Sequence, residues 1–374
     1  MKKILHLQTL ALLSGVQNFS LHLLQGLSGS EYKKVMASSV HGPLVAECGK
    51  LGIKHIPIRA MKRELGLHDL YAFLQILFIL KCGKYDVVHT HTSKAGLLGR
   101  LAARLAKVPL VIHTSHGMPF QEGQSRLAYK LYMFLEKLGN KWCDYVVYVN
   151  DSDRIRSLEL GLIRPEQAKT IYNAIPPDLS LNLGKINETR KLPPEGEVLI
   201  GSTLRFSRQK NVLDITRAAI AACKRCSRLK FALLGEGEDL QLCRAMVQSH
   251  GLSGRILFPG WDRNIEPWLE LFDAFILYSR WEAMPFSIIE AMQSGLPVIG
   301  SDIPSICELV DEETGYIVPL DDLVALEDLL VKLGEDFTQA YAKGKRGAEK
   351  IRQKSDYQTM VSAYEALYNT EVVR

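Results

Sequence analysis

The stretch AFILYSRWEAMPFSIIEAMQSGLPVIGS, Ala274 to Ser301, reads as strand, loop, helix and strand in one pass. Its first six residues are an apolar run that turns polar at its end, as a buried parallel strand does on reaching its carboxyl edge. Pro285 suits the first turn of a helix, where its missing N–H costs nothing, and Ile288, Ile289 and Met292 give that helix an apolar face. Gly295 and Pro297 stop it, and Val298 to Gly300 begin the next strand. Glu282 is therefore expected in a strand-to-helix loop and Glu290 on the helix that follows. Such loops are where open α/β sheets bind ligands.

Carboxylates accept hydrogen bonds from paired hydroxyls, so Glu290 suits a ribose and Glu282 a hexose. The helix start at Met284, Pro285 and Phe286 suits a diphosphate. Isolated glutamates on a surface helix and its loop are more often solvated charges. The wider pattern decides against that here. Glu282-x7-Glu290, followed by Ala291, Gly295, Pro297 and Val298, resembles the signature of the family 4 retaining glycosyltransferases of the GT-B fold. Further matches are spread over most of the chain. The resemblance implies two doubly wound Rossmann-like α/β domains facing an inter-domain cleft. A nucleotide sugar would bind mainly to the second domain and an acceptor to the first.

The 374 residues are too many for one ordinary core and fit two domains. With 47% hydrophobic and 23% charged residues the composition is globular. A net charge of +5 does not demand nucleic acid, and no nucleic-acid-binding motif accompanies it. It would draw the chain towards anionic lipid or a polyphosphate. Seven scattered cysteines without a secretion signal point to reduced thiols in a cytoplasm. Cys223-x-x-Cys226 has no second pair and falls in a predicted helix, so no metal or redox role is expected of it. Lys2 and Lys3 precede an apolar run that His6 and Gln8 interrupt, which favours a first strand over a signal peptide. The most apolar helix candidate, residues 70–80, is too short to span a bilayer, which needs about 20 residues.

Strands and helices alternate from the start. After a strand at residues 4–7, Ser14-Gly15-Val16-Gln17 reads as the turn into a helix. No Gly-x-Gly-x-x-Gly follows this strand, which counts against a dinucleotide dehydrogenase. The resembled family has a glycine-rich loop here that faces diphosphate and acceptor, which makes Gly15 and Val16 candidate substrate-binding residues. Residues 85–120 form a complete βαβ unit with His89, His91, His113 and His116 at strand ends. Histidines one residue apart on a strand point the same way, so a metal pair is conceivable, although satisfied strand-end histidines are commoner. The resemblance assigns His116 to the donor sugar near the reacting carbon and His91 to the acceptor side. An amphipathic helix over residues 121–140 carries Arg126, Lys130 and Lys137 among Leu127, Leu131, Phe134 and Leu138. It is expected to face the core with one solvated side; the alternative is a helix resting on a membrane.

Residues 1–176 are read as the first domain. Residues 177–194, rich in Pro, Asn, Gly and charge, read as an irregular linker, and 195–355 as the second domain. Residues 356–374 form a last helix that could cross back to the first domain. The second domain opens with a strand that ends at Leu204-Arg205-Phe206-Ser207-Arg208-Gln209-Lys210. By resemblance Arg205 and Lys210 hold the donor diphosphate, Gly235 and Gly237 let backbone approach the nucleotide, and Trp261 stacks near the uracil. A unit charge pair at 4 Å is worth about 4 kcal/mol at an effective dielectric near 20. A helix N-terminus adds about 0.3 to 1. Two cations can therefore carry most of the leaving-group charge, with no cofactor or metal required.

The expected enzyme is a retaining, metal-independent glycosyltransferase. It would move a hexose or N-acetylhexosamine from a UDP-sugar to a lipid-linked saccharide in surface polysaccharide synthesis. Its place would be the cytoplasm, with peripheral contact to the inner face of the membrane. A soluble transferase making a small glycoside or storage glucan, and a non-catalytic nucleotide-sugar-binding module, are the alternatives.

Overall fold

The computed structural model describes residues 1–120, 124–193 and 196–371. The chain divides into two units. The first runs from Met1 to Ala174 and includes the chain from Tyr357 onward; the second is Ile175–Asp356.

Seven parallel strands build the first unit: β1 (Lys2–Leu7), β2 (Tyr32–Ser38), β3 (Lys54–Pro57), β4 (Val87–His91), β5 (Leu110–Ser115), β6 (Tyr145–Tyr148) and β7 (Ala168–Thr170). Their order across the sheet is β3-β2-β1-β4-β5-β6-β7. Every residue of β4 and β5 is buried, as a parallel sheet covered on both faces requires. The second unit has six parallel strands: β8 (Val198–Thr203), β9 (Leu229–Leu234), β10 (Ile256–Gly260), β11 (Ala274–Leu277), β12 (Val298–Ser301) and β13 (Gly315–Val318). Their order is β10-β9-β8-β11-β12-β13. Both sheets are doubly wound. Strand order reverses between β1 and β4 in one and between β8 and β11 in the other, and ligands bind beyond the carboxyl ends of such switch points.

The segment expected to be an irregular linker is instead a helix, Pro177–Thr189, followed by Arg190. Pro177 sits at its start, Leu183 is fully buried, and the helix belongs to the second unit. Arg190 anchors it by donating to the carbonyls of Ser294, Phe272 and Leu269. Polar composition concealed this, because one buried leucine, the Arg190 guanidinium and donors from Tyr341 and Lys345 hold the segment without an apolar stripe. Pro194, which ends the expected linker, and residue 195 lie outside the described residues.

Helix Arg126–Asn140 also departs from expectation, and its predicted beginning at residues 121–123 lies outside the described residues. Its apolar positions do not all face the core: Leu127, Leu131 and Phe134 are 80%, 50% and 62% exposed. The face turned inward carries Tyr129, Tyr132 and Met133, packed on the core, followed by Glu136, Gly139 and Asn140. The last three receive the fully buried Arg100, whose Nη1 donates to Glu136 Oε1 at 3.0 Å and to Asn140 Oδ1 at 2.6 Å. A buried guanidinium needs several acceptors, and together with the packed Tyr129, Tyr132 and Met133 that need fixes which side of the helix faces in.

The 17-residue helix Thr338–Lys354 carried no clear apolar stripe in the sequence. It packs through Ala340, Gly344, Gly347, Ala348 and Ile351, a face of mostly small residues. A Cβ at Gly344 would strike the Gly295 carbonyl, so this close approach needs glycine. The last helix, Tyr357–Tyr368, buries Tyr357, Met360, Val361, Tyr364 and Tyr368 in the first unit.

Candidate active site

In the second unit the loops after β8 and β11 meet because these strands are neighbours at the switch point. Residues Arg208–Lys210 form one 3-10 turn. Gln209 ties it down, accepting at its carbonyl from Arg280 N–H at 2.8 Å and donating Nε2 to the Trp281 carbonyl at 3.0 Å. That clamp sets the next residue. Lys210 Nζ lies 2.5 Å from Glu282 Oε1, with the two side chains only 18% and 7% exposed. Gln209 was not among the residues singled out from the sequence, and an amide between two basic residues gives no signal of such a role.

Glu290 lies on helix Phe286–Gln293, which begins after Pro285. Burial pushes its carboxyl up to about 7. Its side chain has no hydrogen-bond partner among the described residues. Met284 and Pro285 are buried beside it in sequence and Phe286 is partly buried, so the Glu282 loop and the Glu290 helix are joined by a packed segment.

Arg205 is more open. It pairs with Glu238 at 3.0 Å, both side chains being more than half exposed, so the pair itself contributes little to stability. Gly235 and Gly237 adopt φ of +135° and +155°, and a Cβ at either would strike the carbonyl of Leu204 or Phe206. The close approach they permit is between the loops after β8 and β9. Phe206 N–H donates to the Glu236 carbonyl at 2.9 Å. Trp261, next to Gly260 at the end of β10, is 64% exposed.

In the first unit Gly15 and Val16 open helix Gly15–Gly26 and do not form a loop before it. Gln8 holds this turn, donating Nε2 to Ser20 Oγ at 2.6 Å. The strand-end histidines gather into one cluster. His6 on β1 is in register with His89 on β4, and His89 and His91 face the same way. His91 Nε2 is 3.0 Å from His6 Nδ1, and His91 Nδ1 is 3.2 Å from His116 Nε2. Tyr368 Oη lies 3.1 Å from His6 Nε2 and 2.7 Å from His89 Nδ1. His89 Nε2 is 2.7 Å from Thr114 Oγ1, which is 3.1 Å from Tyr364 Oη. Burial pushes His6 down to about 3 and holds His89 and His91 well below the ordinary imidazole range, their neighbouring rings adding to the effect. His6, His89 and His91 are close enough together to share an ion. Both nitrogens of each are already engaged in hydrogen bonds, which an ion would have to displace. His6, Thr114, Tyr364 and Tyr368 were not expected here. A histidine within an apolar first strand and two tyrosines four apart on a terminal helix were the available signals.

Two doubly wound parallel-sheet domains, of seven and six strands, are the architecture of the GT-B glycosyltransferases. The chain belongs to glycosyltransferase family 4: the family model "Glycosyltransferase Family 4" matches residues 13–179 and "Glycosyl transferases group 1" matches 197–336. It is 30% identical over 344 residues to the UDP-Gal:alpha-D-GlcNAc-diphosphoundecaprenol alpha-1,3-galactosyltransferase of Escherichia coli, covering 89% of this chain and 88% of that protein. The capsular polysaccharide biosynthesis glycosyltransferase CapM of Staphylococcus aureus is 22% identical, with 83% of each chain covered. Among solved structures, Anabaena HepE in complex with UDP and glucose superposes with a TM-score of 0.83 at 18% identity, over 99% of this chain and 100% of that one. The expected fold and family therefore hold.

Proposed function

We propose that this glycosyltransferase moves a hexose or N-acetylhexosamine, with retention of anomeric configuration and without a metal, from a UDP-sugar to a lipid-linked saccharide in surface polysaccharide synthesis. The Lys210–Glu282 contact carries this reading, because it sets a cation and a carboxylate side by side where an open sheet binds its ligand. Lys210 and Arg205 take the diphosphate charge as the bond from the anomeric carbon to the diphosphate oxygen breaks. The acceptor hydroxyl bonds to that carbon on the same face, and its proton passes to the departing diphosphate oxygen. Glu282 positions the sugar, Glu290 accepts from the ribose hydroxyls, and Met284, Pro285 and Phe286 lie along the diphosphate. Gly235, Gly237 and Trp261 line the nucleotide, and His116 meets the donor sugar. Gly15 and Val16 serve the acceptor side, and buried His91 acts there only through the His116 ring it bonds. The donor is thereby assigned mainly to the second unit and the acceptor to the first.

The lipid-linked acceptor is supported by the Escherichia coli relative, which acts on a diphosphoundecaprenol-linked sugar. No helix among the described residues is long and apolar enough to cross a membrane. A peripheral contact is favoured by two helices that both pack on helix Ser93–Leu105. Helix His68–Gly83 and the residue before it present Leu67, Leu70, Tyr71, Leu74 and Phe78, each at least half exposed, beside exposed Arg59, Lys62 and Arg63. Helix Arg126–Asn140 adds Leu127, Leu131 and Phe134 with Arg126, Lys130 and Lys137. Apolar residues in a basic surround suit an anionic bilayer on the cytoplasmic side.

The test is incubation of the purified chain with UDP-, GDP- and ADP-sugars, with and without membrane lipid extract, in EDTA. Release of UDP from one donor, dependent on the extract and insensitive to EDTA, is expected. Release that needs a divalent cation, or that proceeds equally on water-soluble acceptors, contradicts the metal-independent or the lipid-linked part.

A further inference from the structure

The histidine cluster of the first unit is one unbranched chain of hydrogen bonds: Tyr364, Thr114, His89, Tyr368, His6, His91, His116. All members except His116 are buried, and His116 is partly exposed. Each neutral imidazole has one donor and one acceptor nitrogen, and each hydroxyl one proton, so the direction of one link fixes the next. Only two directions run unbroken from one end to the other.

Its inner end chooses between them. Tyr364 Oη is buried, and Thr114 Oγ1 is its one hydrogen-bond partner among the described residues. If Tyr364 donates to Thr114, Thr114 donates to His89 Nε2, His89 Nδ1–H to Tyr368, Tyr368 to His6 Nε2, His6 Nδ1–H to His91 Nε2, and His91 Nδ1–H to His116 Nε2. Every link is made. In the reverse direction the Tyr364 hydroxyl proton is left buried without an acceptor, which disfavours that state by on the order of tenfold. Were Thr114 or Tyr368 to accept from both neighbours, its own proton would be left buried without an acceptor in the same way.

We infer that this chain fixes His116 as the Nδ1–H tautomer, with Nε2 as the accepting atom and Nδ1–H as the donor the ring offers to a ligand. Tyr368, Tyr364, Thr114, His6, His89 and His91 are then positioning residues for His116. The inference rests on the reading that His116 meets the donor sugar, and it sharpens that role. A ring held this way donates to a sugar oxygen through Nδ1 and cannot remove the acceptor's proton there. It also gives the terminal helix a functional part, because Tyr364 and Tyr368 supply the two hydroxyl links that orient the rings.

The arrangement works against intrinsic preference. A free neutral imidazole favours the Nε2–H tautomer in water, so four rings held as Nδ1–H need a cause outside themselves. Severing the chain at Tyr368 removes that cause for His6, His91 and His116 together.

The test uses the full chain labelled with nitrogen-15 histidine. Long-range proton–nitrogen correlation reads the tautomer of each ring. His116, His91, His6 and His89 are all expected as Nδ1–H in the unsubstituted protein, which decides the matter even if a variant fails to fold. Tyr368→Phe, with its fold checked by circular dichroism, is expected to move His116 measurably towards Nε2–H from two rings beyond the His6 link it breaks. A local packing defect would not do this. His116 found as Nε2–H in the unsubstituted protein, a His116 signal unmoved by Tyr368→Phe, or zinc bound one per chain to the purified protein overturns the proposal. None of these readouts uses transfer activity. If UDP release fails while the tautomers are as stated, the functional reading falls and the chain stands.

Discussion

Lys210 Nζ and Glu282 Oε1 lie 2.5 Å apart although 72 positions separate the two residues in sequence. Each belongs to a different βα loop, and only the adjacency of β8 and β11 brings them together. A pair this enclosed is less screened than a surface ion pair, so removing one partner leaves a half-buried charge. Glu282→Ala is expected to lower urea stability by about 1 to 3 kcal/mol. UDP or its sugar should recover part of that loss, since phosphate then occupies Lys210. Equal loss with and without nucleotide would mean that Lys210 does not meet the diphosphate.

Glu290 gives a pH dependence of definite sign. Its carboxyl titrates near 4.5 in the unfolded chain and is pushed up to about 7 in the fold. The folded state therefore holds the proton more tightly, and this group's contribution to stability falls as pH rises from about 4.5 to 7, by up to about 3 kcal/mol. Glu290→Gln should remove that slope. Denaturant titrations at about pH 6.2 and pH 7.5, where the first unit is still folded, check it: the variant gains on the native chain at the higher pH.

The buried imidazoles act in the opposite sense. Burial lowers the affinity of His6, His89, His91 and His113 for a proton, so their contribution is complete above about pH 6.5 and is lost as pH falls below it. Each neutral ring costs about 1.4 kcal/mol per pH unit below that point. Four rings outweigh one glutamate, so net stability should fall from pH 6.5 downward. The first unit is expected to lose its fold between about pH 6 and pH 4.5, followed by tyrosine fluorescence. Full stability at pH 4.5 would show these rings to be solvated.

The exposed leucines and aromatics of helix His68–Gly83 give a fourth test. Leu70→Asp with Leu74→Asp should abolish sedimentation with vesicles containing phosphatidylglycerol and leave UDP binding unchanged. Persistent vesicle binding would move the contact elsewhere. Unchanged binding to neutral and anionic vesicles alike would remove the role of the basic residues.

Much of this was legible because parallel strands announce themselves as apolar runs and because Glu282-x7-Glu290 sits in one continuous stretch. The Arg205 and Lys210 loop was readable for the same reason, since it directly follows β8. What sequence could not carry was contact across the chain. Helix Pro177–Thr189 is fixed by Arg190 reaching three carbonyls, which no periodicity records. Helix Thr338–Lys354 packs on alanine and glycine, so its buried face has no hydrophobic signal. The exposed side of helix Arg126–Asn140 follows from the opposite face packing Tyr129, Tyr132 and Met133 on the core and receiving a buried arginine from another helix. His6 looked like an interruption of the first strand, and its meaning lies in Tyr368, 362 positions away.

The most direct measurement is turnover of Lys210→Ala at saturating donor. A cation near the leaving diphosphate is worth about 4 kcal/mol, or roughly three decades of rate after rounding. A fall in kcat of at least about 100-fold, with UDP still bound, is the result expected. Unchanged kcat would contradict the assignment of Lys210 to the leaving group and, with it, the active site drawn around the Lys210–Glu282 pair.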